Sequence, residues 1–427
     1  MKDLTFHSQL IEGIQVHMLP VEKFKTNLIS VHIHLPLQEE TVTLASLLPH
    51  VIRKGSQRYP DMTAIQRHLN ELYGAEFYVE VSKKGEKQYI VFQMEILNEQ
   101  FISEEKLLLE EGFAFLGEMM YSPLLEGEGF AQGYVELEKE SLRKKIEGLI
   151  DDKMRYANQR LTEEMCKEEP YRLLAQGIKE RIPEITAEQL YGFYQEVIQS
   201  YPMDVYVVGN FAEEKVLNLI DNYFSRGKGE KQTVPPTDYG RKGREENLIT
   251  EEMDVSQGKL NIGLRTHINF AEEEYLPLMM YNGVLGGFPH SKLFTNVREK
   301  ASLAYYAVSR LESSKGLMMI MSGIESDNFD KAVQIIKEQL KMMVDGEISD
   351  LEIQQTKAAL GNQFQESFDS ARGLIDFNYL GQLNGNVRSL TEMIQGLEDV
   401  TKEEMMDVGK KIELDTIYFL RGKGEEK

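Results

Sequence analysis

The stretch from Ser225 to Asn247 constrains this chain more than any other. It holds Gly227, Gly229, the pair Pro235-Pro236, Gly240 and Gly243 among charged residues and almost no apolar ones. Such a segment has nothing to bury and reads as a linker, so folded structure must come from what lies on either side. The expected division is an N-terminal domain over 1–225, a linker over 226–247 and a C-terminal domain over 248–427. A chain of 427 residues is long enough for two or three domains.

The two sides follow one order of events, which points to an internal duplication. The first has an alternating strand, Leu28 to Leu35, then an acidic turn at Glu39-Glu40 and a helical apolar stretch through Leu44, Leu47 and Leu48. The second has the strand Lys259 to Leu264, the acidic turn Glu272-Glu273-Glu274 and the apolar stretch Leu276 to Leu285. Each ends in a strand of β-branched and aromatic residues, Asp204 to Gly209 and Asp415 to Leu420. Glu76 to Val81 and Gln88 to Ile96 alternate around Lys84-Gly85-Glu86, as a β-hairpin does. Ile65, Leu69, Leu72 and Tyr73 sit at helical spacing, as do Ala332, Ile335, Ile336, Gln339 and Met343. Hairpins combined with long helices predict two similar α+β domains, each a mostly antiparallel sheet packed with helices.

Composition narrows the function classes. Bases and acids number 48 and 70, a net charge of −22, so the chain lacks the cationic footprint that nucleic acid requires. A single cysteine, Cys166, excludes an internal disulfide and a thiolate-rich metal site. Its neighbours Glu163, Glu164 and Glu168 would raise a thiol pKa, so an inert cysteine is expected. Met1 to His7 carries no apolar run of signal-peptide length, and no window reaches about 18 uninterrupted apolar residues. The expectation is a cytoplasmic protein with no membrane partner.

Common catalytic motifs are missing. There is no phosphate-binding Gly-x-x-x-x-Gly-Lys-Ser/Thr loop and no Gly-x-Ser-x-Gly elbow. Gly127, Gly129 and Gly133 approach dinucleotide-binding spacing with one residue too many and no strand before them, so they read as a turn. Eight histidines remain as candidate ligands. His32 and His34 lie two apart on a strand and share a face, but a third ligand would have to come from elsewhere.

His50 is the informative histidine. Its segment, Ser46-Leu47-Leu48-Pro49-His50-Val51-Ile52-Arg53-Lys54-Gly55-Ser56, resembles the metal-binding helix of the inverzincin peptidases. That superfamily includes pitrilysin, insulin-degrading enzyme and mitochondrial processing peptidase, and its pattern is His-x-x-Glu-His followed by Lys-Gly-Thr. Anchored on Lys54-Gly55-Ser56, the resemblance puts the second histidine at His50, the catalytic glutamate at Pro49 and the first histidine at Ser46. The family's later helix carries a glutamate and, seven residues on, a glutamate ligand. The matching positions are Glu138 and Lys145, and Asp151-Asp152 is similar to the acidic pair that follows. In the second half, Leu285-Gly286-Gly287-Phe288-Pro289-His290-Ser291-Lys292-Leu293-Phe294 is similar to the family's glycine-rich loop. Val297 to Tyr305 is similar to its Arg-Glu-x-x-x-Leu-Ala-Tyr element.

What the resemblance implies is a clamshell half whose metal chemistry is gone. A catalytic zinc of this type needs two neutral imidazoles, a carboxylate and an open position for water. One ligand survives, Lys145 brings a cation, and Pro49 has no group that could deprotonate water. Proline inside a helix also removes a backbone hydrogen bond and would alter the local geometry. The resemblance therefore implies no metal, no cofactor and no catalytic residue, and leaves Arg298, Tyr305, Gly286 and Gly287 as peptide-binding positions. The implied function is a non-catalytic subunit that helps an active zinc-peptidase paralogue enclose peptide substrates, as a heterodimer. Two alternatives stay open: an active zinc endopeptidase with a metal site relocated to His32, His34, His50 or His68, and a stand-alone homodimeric binding protein. For Arg298 and Tyr305 the competing reading is an ion pair and a core packing residue. The net charge would draw cationic or neutral peptides, or it simply keeps the surface well hydrated.

Overall fold

The computed structural model describes residues 4–224, 231–240 and 246–423. Met1-Lys2-Asp3 and the linker glycines Gly227, Gly229 and Gly243 lie outside them. The chain forms two compact units, Leu4–Gly148 with Leu173–Pro236, and Leu149–Arg172 with the residues from Thr237 onward.

In chain order, the first part contributes β1 (His7–Ile11), β2 (Ile14–Pro20), β3 (Thr26–Pro36), α1 (Val42–Ile52), α2 (Met62–Glu71), β4 (Glu76–Lys84) and β5 (Lys87–Leu97). There follow α3 (Leu108–Tyr121), the short ribbon β6 (Leu125–Glu126) and β7 (Gly129–Phe130), α4 (Gln132–Glu147), α5 (Lys153–Met165), α6 (Ala187–Ser200), β8 (Met203–Gly209) and α7 (Glu213–Tyr223). The second part has β9 (Asn247–Met253), β10 (Gly258–Arg265), α8 (Tyr275–Asn282), β11 (Ala304–Glu312), β12 (Leu317–Ile324), α9 (Phe329–Asp345), α10 (Asp350–Ser367), α11 (Ala371–Asn384), α12 (Leu390–Asp399), α13 (Lys402–Lys411) and β13 (Glu413–Gly422). The expected hairpin is β4–β5, and both expected terminal strands are present as β8 and β13.

The duplication is explicit in the topology. The first sheet runs β1-β2-β8-β3-β5-β4 and the second, read from its far edge, β9-β13-β10-β12-β11. In both, the last strand inserts beside the strand that precedes the first helix, and pairs in parallel with a strand at the unit's start. The other pairings are antiparallel. Alternation decides the faces: on β3, Ile29, Val31 and Ile33 enter the first core, while Ser30, His32 and His34 take the opposite side.

One segment departs from a division at the linker. Residues 149–172, expected in the first domain, belong to the second unit. The face of α5 made by Ala157, Leu161, Met165 and Cys166 is apolar and packs with Leu317, Met319, Tyr418 and Leu420. Its start is fixed by Asp152, whose carboxylate accepts from the N–H groups of Met154 and Arg155, both at 3.1 Å. Beyond its end, buried Glu169 accepts from Arg265 Nη2 at 2.7 Å and meets Lys315 Nζ at 2.8 Å. Arg265 also donates from Nε to Asp415 at 2.7 Å. Burial works against charge on Glu169, but the bonds from Arg265 and Lys315 hold its carboxyl below the usual range.

Removing one member of such a network leaves charges stranded in the interior. Glu169→Ala should therefore cost about 3–5 kcal/mol in denaturant unfolding, while Glu246→Ala, at the exposed pair with Lys337, should cost about 1 kcal/mol or less. Similar losses for the two variants would show that the buried network is not a main constraint.

Candidate functional site

In the first unit the segment singled out by His50 forms the end of α1. The helix runs unbroken through Pro49 to Ile52, so the expected distortion does not end it early, and Arg53 N–H donates to Pro49 O at 3.1 Å. Proline near the last turn removes one bond and lets the rest of the helix stand. Buried Gln88 donates to Val42 O and Ala175 O, fixing the helix start on the sheet. Ser46 and Pro49 are buried, and His50 is half-buried. After the helix, Gly55 lies where a Cβ would come within 2.8 Å of Pro60 O, so the turn at Lys54-Gly55-Ser56 requires glycine.

Helix α4 brings Glu138 and Lys145 into the same neighbourhood. Glu138 is buried and its Oε1 sits 2.8 Å from Lys54 Nζ. Lys145 is exposed. Burial foremost, and then the charge of Lys145, push the His50 imidazole below its usual pKa against the pull of Glu138. The positions expected to converge do so, but their chemistry is that of one imidazole, one carboxylate already held by a lysine, and one ammonium. Among the described residues, no group of three His, Cys, Asp or Glu side chains is placed to hold a metal ion. This donor set does not fit zinc.

Among the described residues, the histidines considered for a relocated site are not grouped with two other donors either. His32 shares a hydrogen bond with Ser30 Oγ at 2.8 Å, and His34 meets Asp204 Oδ2 at 2.8 Å. His68 joins a cluster of rings with Tyr59 and Phe115, its centroid 4.7 and 5.7 Å from theirs. Each of these three has a structural commitment of its own. Asp204 was visible in the sequence only as the first residue of a terminal strand, with nothing to mark it as a histidine partner.

The second unit presents the other motif. After α8 the chain makes a π-helical turn, Gly283–Gly287, and a second one, Phe294–Lys300, before β11. Gly286 is buried, and a Cβ on it would lie 2.6 Å from Ser309 N, so its role is close packing against β11. Gly287 is exposed. Arg298 is exposed too, its guanidinium 4.6 Å from the centre of the Phe294 ring. Tyr305 is 68% exposed and occupies a bulge: Ala304 pairs with Ile324 and Tyr306 with Gly323, leaving it no partner on β12. Neither residue takes the competing role. Arg298 makes no ion pair among the described residues, and Tyr305 is in no core. Lys292 Nζ to Glu352 Oε1, at 2.9 Å, and His290 to Thr356 Oγ1, at 3.0 Å, tie this region to α10. Sequence reasoning missed both contacts.

Comparison with known proteins settles the lineage. A Bacillus subtilis protein described as a probable inactive metalloprotease, YmfF, is 44% identical over 410 residues, spanning 96% of each chain. The chain belongs to the peptidase M16 family. Residues 184–360 match the family model called the peptidase M16 inactive domain. A crystal structure of a conserved protein from Enterococcus faecalis is 32% identical, with a TM-score of 0.91 over 99% of this chain and 100% of that one. A structure described as a peptidase M16 inactive domain from Pseudomonas fluorescens shares the fold, with a TM-score of 0.82 at 17% identity over 99% and 100% of the two chains. The α+β reading and the resemblance drawn from the two motifs are therefore correct. This chain is an inactive M16 protease-like protein. Among the described residues, no helix is long and apolar enough to cross a membrane.

Two outcomes follow from this M16 site. Ser46→His, Pro49→Glu and Lys145→Glu together should create zinc binding measurable by titration calorimetry, against none for the parent. A folded triple variant without zinc affinity would refute the matching of these positions. The second concerns pH. Burial, reinforced by the charge of His34, lowers the His32 pKa to about 3, and burial also lowers that of His17. Their folded values lie below the unfolded 6.5, so the unfolded chain takes up protons first and stability is lost as pH falls below 6.5. Between pH 6.5 and 5 the first unit should lose about 1 kcal/mol per pH unit for each histidine that stays neutral. His32→Gln should flatten the slope in denaturant titrations; an unchanged slope would exclude His32 as its source.

Proposed function

We propose that this chain is a non-catalytic M16 subunit that helps an active, zinc-bearing paralogue bind and enclose peptide, in a cytoplasmic heterodimer. The observation that carries the reading is the contrast between its two units. The metal donors of the first have been replaced, while the second holds an arginine and a tyrosine out of its core. An exposed tyrosine on a bulge and a guanidinium steadied only by an aromatic ring are free to meet a ligand. Arginine offers five N–H donors in a rigid fork, suited to peptide carbonyls and carboxylates, and the tyrosine hydroxyl adds one more. Gly287, exposed in the preceding π turn, lets a peptide backbone approach closely, whereas Gly286 supports that turn from beneath. In this reading the chain supplies binding and water exclusion, and hydrolysis belongs to the partner.

The test is a complex reconstituted with an active, zinc-bearing M16 chain. Alone, the chain should cleave no peptide. In the complex, Arg298→Ala should lower kcat/KM roughly 5- to 100-fold, and Tyr305→Phe less, with subunit affinity and Tm unchanged. Parent-like turnover in both variants would leave these residues without a role in peptide handling, and the proposal would fall.

A further inference from the structure

Helix α9 carries an amide in its core stripe. The stripe runs Ala332, Ile336, Gln339 and Met343 at helical spacing, and Gln339 is 4% exposed. An apolar side chain would fill that place without any polar atom to satisfy. Gln339 instead accepts at Oε1 from Asn296 Nδ2 over 2.6 Å. Asn296 lies in the π-helical turn Phe294–Lys300 that carries Arg298.

Asn296 is the node of that turn. Its Oδ1 accepts from Lys300 Nζ at 3.1 Å, and its carbonyl accepts from Ala301 N–H at 3.2 Å. The second bond spans five residues, the wide spacing of a π turn. Leu303 N–H then donates to Val297 O at 3.1 Å, and between them Ser302 takes φ = 51°, a left-handed conformation disfavoured for serine. The bulge at Tyr305 follows. Three uncommon backbone features thus occur in a row, widened, left-handed and bulged, and the pair Asn296–Gln339 fastens the first of them to the buried side of α9.

We infer that Asn296 and Gln339 are positioning residues, whose hydrogen bond holds residues 294–305 in the conformation that presents Arg298 and Tyr305 to a bound peptide. The inference rests on the peptide-contact reading above. A buried amide bond is directional where an apolar contact is not, so it selects one conformation of a segment that could wind as an ordinary α turn. That rewinding would move Arg298 around the turn relative to Phe294.

The test uses the same two-chain complex and an internally quenched peptide that the active chain cleaves. Gln339→Met keeps the length of the side chain and removes both polar atoms, while half-exposed Asn296 can still reach water. It should raise KM at least 5-fold with kcat, subunit affinity and Tm unchanged. Gln339→Glu, which retains an acceptor for Asn296, should return KM towards the parent value. Arg298→Ala is measured alongside to separate two failures. If Arg298→Ala impairs turnover and Gln339→Met does not, the positioning role is wrong and the peptide-contact reading stands. If Arg298→Ala has no effect, both fall. A drop in Tm or subunit affinity that accounts for the change in KM would make the pair structural only and overturn the inference.

Discussion

One buried carboxylate organises the second unit. Glu169 is 3% exposed and lies between Arg265 and Lys315, which are themselves almost fully buried, and Asp415 supplies the second negative charge. Lys315 Nζ also donates to Asp238 O at 2.6 Å. The four charged groups come from four separated parts of the chain: the segment after α5, strand β10, the β11–β12 turn and strand β13. None could remain charged in an apolar interior without the others, so the network fixes their mutual register. It also explains how a helix from the first half of the sequence is held by the second unit: its apolar face packs there, Arg160 pairs with Glu251 of β9 at 2.6 Å, and the buried network closes the contact beyond its end.

The first unit repeats part of this device with weaker chemistry. Asp204 lies near the start of β8 as Asp415 lies near the start of β13, and each meets a basic group on the neighbouring strand, His34 in one unit and Arg265 in the other. A second correspondence lies at the helices. Lys54, just after α1, meets Glu138 of α4, and Lys292, after α8 and its π turn, meets Glu352 of α10. In both units, then, a lysine–glutamate pair ties the chain that follows the first helix to a later one. The first unit keeps this tie between α1 and α4 although the zinc donors are gone, because the tie does not use them. Loss of a metal site is compatible with an intact fold where the brace and the ligands are different residues.

Strand and helix content was legible because alternation and helical spacing are local properties. Leu28 to Leu35, the hairpin at Lys84-Gly85-Glu86 and both terminal strands follow from side-chain pattern alone. The assignment of α5 was not legible. Ala157, Leu161, Met165 and Cys166 make an apolar face that suits either sheet, and Glu169 sits in a run of acidic residues that looks like surface. The candidate site divides in the same way. Under the resemblance, residue identities alone announced the loss of two ligands, at Ser46 and Lys145, and of the catalytic base, at Pro49. The bulge that exposes Tyr305 depends on a one-residue slip between β11 and β12, and the packing role of Gly286 depends on how close Ser309 comes. Both are tertiary facts without a sequence signature.

Charge makes the position of Arg298 informative. With 70 acids against 48 bases, an arginine on this surface has an excess of carboxylates to choose from, and many of the basic side chains do choose one. Arg298 follows a different course and lies over Phe294, although Glu299 is its neighbour in sequence. A cation over a ring is stabilised by about 0.5–1 kcal/mol at an exposed site, comparable to a surface ion pair. The difference lies in what is left over. A guanidinium held in a bidentate carboxylate pair has committed its donors, whereas one held by a π face keeps its N–H edge free. The Phe294 ring thus fixes the place of the positive charge while leaving its donors available to a carbonyl or carboxylate from outside. An acidic chain can in this way carry a cationic contact that its own carboxylates do not neutralise.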